Sequence, residues 1–288
     1  MTGKHPVTDI HVHIQPWETM HPHALKTIRK GRADHELIES LMKSPQALAD
    51  HLDEIGIDRI GIINYVAPDI MGFTADVNAW VARYRNGAPK HVIGFGGIHP
   101  PACRDVDEEM KRLLEEHRLD ALKIHPPHQA LDPSGYRDGT CPELARVYEA
   151  AQEAGLPVMF HTGTSIFPGA RSRLGDPMLL DDVAIDFPEL RIIMAHGGRP
   201  LWMKEAFFLL RRHPNVHMDL SGIPPKKLLE YFPRLEAISA KVLFGTDWPS
   251  PGVRSITENL DTLRELSLSA EALDRILWQN AATLFPKP

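Results

Sequence analysis

The residues best able to do chemistry in this chain open it: Val7-Thr8-Asp9-Ile10-His11-Val12-His13, an extended stretch ending in a His-x-His pair. In an extended chain successive side chains alternate faces, so Asp9, His11 and His13 share one side while Ile10 and Val12 take the other. Two imidazoles set that way can chelate one ion. With 16 His in the chain, chance alone supplies about one such pair, so the motif needs company. His21-Pro22-His23 has the same spacing but sits in a Pro-rich polar run and reads as a surface loop.

Company stands at the ends of other apolar runs. Lys123 and His125 close the run 121–126, His161 the run 157–163, His196 the run 190–198 and Asp247 the run 241–247. Two histidines of one strand, a third from another and a carboxylate suit zinc or a similar divalent ion and leave a position open for water or substrate. Such an ion lowers the pKa of water toward ~7 and polarises a carbonyl. Asp247 is then placed to take the water's proton, and His196, followed by Gly197-Gly198, to orient the water or to stabilise negative charge on the substrate.

These residues need a frame that brings separate strand ends to one rim. Eight short apolar runs, beginning near residues 7, 59, 91, 121, 157, 190, 216 and 241, alternate with helical patterns. Helices are expected over 45–56, 75–86, 105–118, 142–154, 177–186, 200–212, 225–238, 255–266 and 270–284. Ser44-Pro45 is a start signal and Gly56 a stop. Strands separated by helices pair in parallel, and near-continuous apolar strands are buried on both faces. Eight of them predict an α/β fold, a distorted (βα)8 TIM barrel with its site at the C-terminal ends of the strands. No glycine-rich phosphate loop follows any strand, which counts against a dinucleotide-binding sheet. The polar and aromatic segment 14–43 is expected to be a lid or insertion after the first strand, and residues 1–288 a single domain.

Bulk properties narrow the partners. An apolar content of 43% and 25 prolines describe a globular chain with many ordered loops. A net charge of -6 without a basic block argues against nucleic acid, and no run approaches the ~18 apolar residues of a membrane span. The first ten residues lack a signal-peptide core, and Cys103 and Cys141 are too few for a disulfide framework, so a cytoplasmic setting is expected. Both cysteines read as packing residues.

Asp9-Ile10-His11-Val12-His13, His161-Thr162-Gly163, Ala195-His196-Gly197-Gly198 and Gly245-Thr246-Asp247-Trp248-Pro249 together resemble the amidohydrolase superfamily, in particular its amidohydrolase-related branch that includes aminocarboxymuconate-semialdehyde decarboxylase. The resemblance covers essentially the whole chain. It implies His11, His13, His161 and Asp247 around one divalent metal, Zn2+ by preference with Mn2+ as alternative, and a catalytic role for His196. A homodimer is an expectation from the same source. Lys123 complicates the transfer, because binuclear members carboxylate a lysine of strand four to bridge a second ion; the other readings are an ammonium that binds a substrate carboxylate and a lysine paired with Asp9 or Asp219.

For the substrate, the candidates are His125, Trp17 of the lid, Arg171 of the loop after strand five and Trp248 as an apolar wall; an arginine there would clamp a carboxylate. His99 is a weaker candidate, and Asp219 has the parity of a partner to a ligand. The expected activity is hydrolysis of a small, carboxylate-bearing amide, ester or lactone by a metal-activated water, with nonoxidative decarboxylation of an aromatic or unsaturated acid as the alternative.

Overall fold

The computed structural model describes residues 6–286; the first five residues of the N-terminal stretch read above lie outside them. Eight parallel strands pair strictly in sequence order: β1 (Thr8–Val12), β2 (Arg59–Ile63), β3 (Val92–Gly96), β4 (Ala121–Ile124), β5 (Val158–His161), β6 (Ile192–Ala195), β7 (Val216–Asp219) and β8 (Val242–Leu243). Three bonds close the ring between its ends: Ile10 N–H to Phe244 O at 3.0 Å, Asp247 N–H to His11 O at 2.8 Å and His13 N–H to Trp248 O at 2.7 Å. The barrel expected from the alternating pattern is the fold observed, and every strand residue but His217 is buried.

The hydrogen-bonded strands stop earlier than the apolar runs suggest. His13, His125 and His196 lie one residue past their strands and Asp247 four past β8, although His13 and Asp247 still take part in the bonds that close the ring. In β1 the register shifts between Asp9 and Val12, an extra residue in the ladder that re-aims the side chains around His11. His196 and Asp247 adopt φ of 68° and 71°, a region most side chains avoid.

Local signals mostly do what their chemistry requires. Ser44 Oγ accepts the Ala47 N–H at 3.1 Å to open the helix Pro45–Ile55, and Gly56 closes it at a φ of 71°. The expected helix at 225–238 is instead three short turns ending at Lys241. Pro233 is the reason, since it forces Phe232 before it out of the helical region, to φ -124° and ψ 74°. Segment 14–43 is largely helical, with Pro22–Arg29 and His35–Lys43, and it buries Trp17, Ala24, Ile28, Ile38 and Leu41. The surface loop expected at His21-Pro22-His23 is corrected: Pro22 begins that first helix, and the two imidazoles bond to Pro68 O (2.7 Å) and Ile70 O (3.1 Å). Among the described residues no helix is long and apolar enough to cross a membrane.

Candidate metal centre and cavity

Side chains from β1, β7 and the turns after β6 and β8 meet on one side of the barrel mouth. His13 Nε2 lies 2.8 Å from Asp247 Oδ1, and His11 Nε2 lies 3.5 Å from the same oxygen. On its other edge His11 Nδ1 is 2.7 Å from Asp219 Oδ2. A carboxylate there accepts a hydrogen bond from Nδ1–H, which fixes the proton on that nitrogen and leaves a lone pair on Nε2. That Nε2 is buried and has no hydrogen-bond partner among the described residues. One ligand atom each of His11, His13 and Asp247 falls within 4.8 Å of the others, and the same holds for His11, His196 and Asp219. An orphaned, deprotonated imidazole nitrogen beside a second imidazole and a carboxylate fits a divalent ion of the zinc or manganese type.

The charges around this cluster are pinned. Burial would raise the Asp247 pKa, but the hydrogen bond from His13 and the positive charge of Arg199 oppose it, and the carboxyl is held at about 2. Asp219, fully buried, is likewise held below its ordinary value; it accepts from His11, from the backbone N–H of His196 and Ser221, and from Ser221 Oγ. His196 Nδ1 faces Ser221 O at 3.0 Å, and a carbonyl oxygen only accepts, so the proton sits on Nδ1 and Nε2 is an acceptor. Of its two expected roles, this tautomer favours orienting a water. Asp9 does not join the cluster: it receives the His11 N–H, the Thr246 N–H and the Thr246 hydroxyl, and burial raises its pKa to about 7.

Opposite this cluster the mouth is built differently. A cavity of about 600 Å³ runs from the metal centre across the ends of β2, β4 and β5. Lys123 is 1% exposed, its ammonium has no hydrogen-bond partner among the described residues, and burial lowers its pKa to about 8 against the pull of Asp219 and Asp247. The pairing with a buried acid considered for it is therefore absent. His161, His125 and His128 form a stack, with ring centres 3.9 Å and 3.5 Å apart, and burial keeps all three rings neutral. His161 stands 4.6 Å from the His196 ring, belongs to neither three-residue group, and bonds through Nε2 to Thr164 O at 3.3 Å. It faces the same cavity as His11, His13 and Asp247.

Three expected substrate contacts are corrected. Trp248 follows Asp247, so when Asp247 turns in Trp248 turns out; its ring is buried beneath Arg32, 5.8 Å away, and does not border the cavity. Trp17 is taken into the core, capped by Arg29 at 5.2 Å. Arg171 is exposed and outside the cavity, bonded through its backbone to Pro127 O. His99 and Cys103 border a separate recess. Of the four, His125 alone lines the cavity. The arginine that does reach the site is Arg199, 3.6 Å from Asp247 Oδ2. Its guanidinium lies flat on Gly222, whose φ of 63° and missing Cβ make room for it. Tyr65, His128 and Ser221 also went unread in the sequence, although His128 stands one turn after His125 behind Pro126-Pro127.

A family model described as amidohydrolase matches residues 8–287. No curated protein matches the chain. Among solved structures, an uncharacterised TIM-barrel protein from Bordetella bronchiseptica is 20% identical, with a TM-score of 0.75 over 97% of this chain and 98% of that one. A dihydroxybenzoic acid decarboxylase from Polaromonas, with manganese and 2-nitroresorcinol bound, is 18% identical, with a TM-score of 0.67 over 98% and 97%. A probable 2-pyrone-4,6-dicarboxylic acid hydrolase from Acinetobacter baumannii, with citric acid bound, is 15% identical, with a TM-score of 0.65 over 97% and 98%. Other similar structures are decarboxylases of aromatic acids and a hydratase. At these identities the likeness shows the fold.

Proposed function

The chain belongs to the amidohydrolase family, and on that premise we propose that it is a metal-dependent hydrolase of a small carboxylate-bearing amide, ester or lactone. The observation that carries this reading is the ionised Asp247 carboxylate beside the orphaned His11 Nε2, at one end of a cavity whose floor is the unpaired Lys123 ammonium. His11, His13 and Asp247 would hold the ion, with His161 as the remaining candidate ligand. When bound, such an ion polarises a carbonyl and lowers the pKa of a water toward ~7.

The residues of the chain supply the rest. Asp247, held as a carboxylate, accepts a proton from the attacking water and returns it to the leaving group. His196 accepts a hydrogen bond from that water through Nε2, its ring fixed by the Nδ1–H bond to Ser221 O. Lys123 and Arg199 hold the substrate's carboxylate and the oxygen on which charge develops, in a pocket dry enough for both to count.

Decarboxylation of an aromatic or unsaturated acid is the second reading, favoured by one feature: Lys123 is an unpaired acid with a pKa of about 8, close to where a proton donor to carbon works best. There the ammonium would protonate the ring or alkene carbon as the C–C bond to the carboxylate breaks. The two readings separate on product. A panel of lactones, amides and carboxylated aromatics, assayed with Zn2+- and Mn2+-loaded protein for acid release and CO2 release, is expected to yield acid without CO2. CO2 from a carboxylate with no hydrolytic turnover overturns the hydrolase and leaves the decarboxylase.

A further inference from the structure

His128 is buried, with Tyr65 Oη 3.0 Å from Nδ1 and Ser165 Oγ 2.8 Å from Nε2. No carboxylate touches either nitrogen, and burial pushes its pKa down to about 3, so the ring is neutral. A neutral imidazole has one N–H and one lone pair. The two hydroxyls therefore cannot both donate to it: one donates, the other accepts, and one hydroxyl hydrogen is left over. Tyr65 is 2% exposed and, among the described residues, the only hydrogen-bond partner of its hydroxyl is His128, so its hydrogen is best spent on Nδ1. His128 then carries its proton on Nε2 and donates to Ser165 Oγ, which also receives the Phe167 N–H at 3.3 Å. With both lone pairs of Oγ engaged, the left-over hydrogen is that of Ser165, on a half-buried residue bordering the cavity.

We propose that Tyr65, His128 and Ser165 form an ordered hydrogen-bond chain that makes Ser165 a donor to an uncharged acceptor oxygen of the substrate, on the side of the cavity away from Asp247. No charged group stands in the chain, and Lys123, the ammonium whose charge reaches His128, is already taken by the carboxylate seated on it, so the oxygen the chain recognises is a hydroxyl, ether or carbonyl and not a second carboxylate. The substrate class sharpens accordingly, to a monocarboxylate carrying a neutral oxygen function. This rests on the proposed function only for seating the carboxylate at Lys123 and Arg199.

The test is binding, on metal-loaded protein, of benzoate, its 3- and 4-hydroxy and 3- and 4-methoxy derivatives, and isophthalate and terephthalate, by calorimetry. At least one hydroxy or methoxy isomer is expected to bind roughly three- to tenfold tighter than benzoate, the range one net hydrogen bond gives. The dicarboxylates are expected to show no gain. Ser165→Ala is expected to abolish the gain, with Tyr65→Phe reducing it. Independently of any ligand, 15N chemical shifts of His128 are expected to report the neutral Nε2–H tautomer from pH 6 to pH 8. An absent gain in the wild type, whether or not benzoate binds, a gain that survives Ser165→Ala, a preference for the dicarboxylates, or an Nδ1–H or charged His128 each overturns the proposal. Because no turnover is measured, a failure of the hydrolase reading leaves these outcomes interpretable.

Discussion

The two sides of the barrel mouth solve the burial of polar groups in opposite ways. On the side of β1, β6, β7 and β8, two aspartates take almost every donor in reach: Asp219 receives from His11, His196 and Ser221, while Asp9 receives from His11 and Thr246. On the side of β2, β4 and β5 the cavity wall holds stacked neutral imidazoles, hydroxyls and one unpaired ammonium. A charged network fixes geometry and holds positions off their preferred backbone, as at His196 and Asp247. A wall that is neutral apart from that ammonium costs less to bury and leaves donors and acceptors for a ligand. On the proposed hydrolase reading, chemistry belongs to the first side and recognition to the second.

Asp247→Asn breaks that division most severely. The amide keeps the shape but removes the ionised acceptor, so kcat/KM is expected to fall by roughly a thousandfold or more, with the circular dichroism spectrum unchanged. A variant that retains a tenth of the activity would sink the role assigned to Asp247. Asp219→Asn comes next, because it acts through His11. Losing the carboxylate that sets the His11 tautomer is expected to weaken metal affinity by about 10- to 100-fold, read by chelator competition. An unchanged affinity would mean that Asp219 only braces the turn after β7.

Lys123→Met tests the other side, and its two readouts should move oppositely. Replacing an unpaired buried ammonium by an apolar group of similar length removes a desolvation cost, so the denaturation midpoint is expected to rise. Activity is expected to fall by about 10- to 100-fold, through KM if Lys123 binds a carboxylate and through kcat if it donates a proton. The pH dependence follows from the lowered pKa. Between about 8 and the ordinary lysine value of 10.5 the unfolded chain binds more protons than the folded one, so wild-type stability should climb relative to the variant over that window. A flat difference would place a counter-charge on Lys123.

How much of this could be read beforehand follows the same division. Apolar runs of even spacing predicted the barrel, because strands buried on both faces leave few other sequences possible. His11, His13 and Asp247 were legible because strand parity and position at a run's end point one way. Trp17 and Trp248 were misplaced because loop chains turn, and a bulky ring goes wherever it can be buried. Tyr65 had no signal at all, and Ser165 stood only as a member of the loop after strand five expected to read the substrate: they meet His128 across 63 and 37 residues, and only the packing of β2, β4 and β5 brings them together.

Asp9 is where the charged side should prove least sensitive. Its carboxyl is drawn up to about 7 chiefly by burial, against the Thr246 and His11 bonds that favour the ionised form. An asparagine there can still accept the His11 and Thr246 N–H through Oδ1 and can donate to the Thr246 hydroxyl in place of receiving from it. The lost charge–dipole bonds and the relieved burial of charge oppose each other, so Asp9→Asn is expected to change stability by only about 1 kcal/mol at neutral pH. The sign with pH is definite. A raised carboxyl pKa means that the folded chain binds more protons than the unfolded one between the ordinary 3.8 and about 7, so the wild type loses stability relative to the variant as pH climbs through that window. Urea midpoints of both proteins at pH 5 and pH 8 measure it: the variant should gain on the wild type at the higher pH. A difference that stays flat between pH 5 and pH 8 would show that Asp9 is held ionised, and the charged network would then extend one layer deeper into the barrel than its hydrogen bonds suggest.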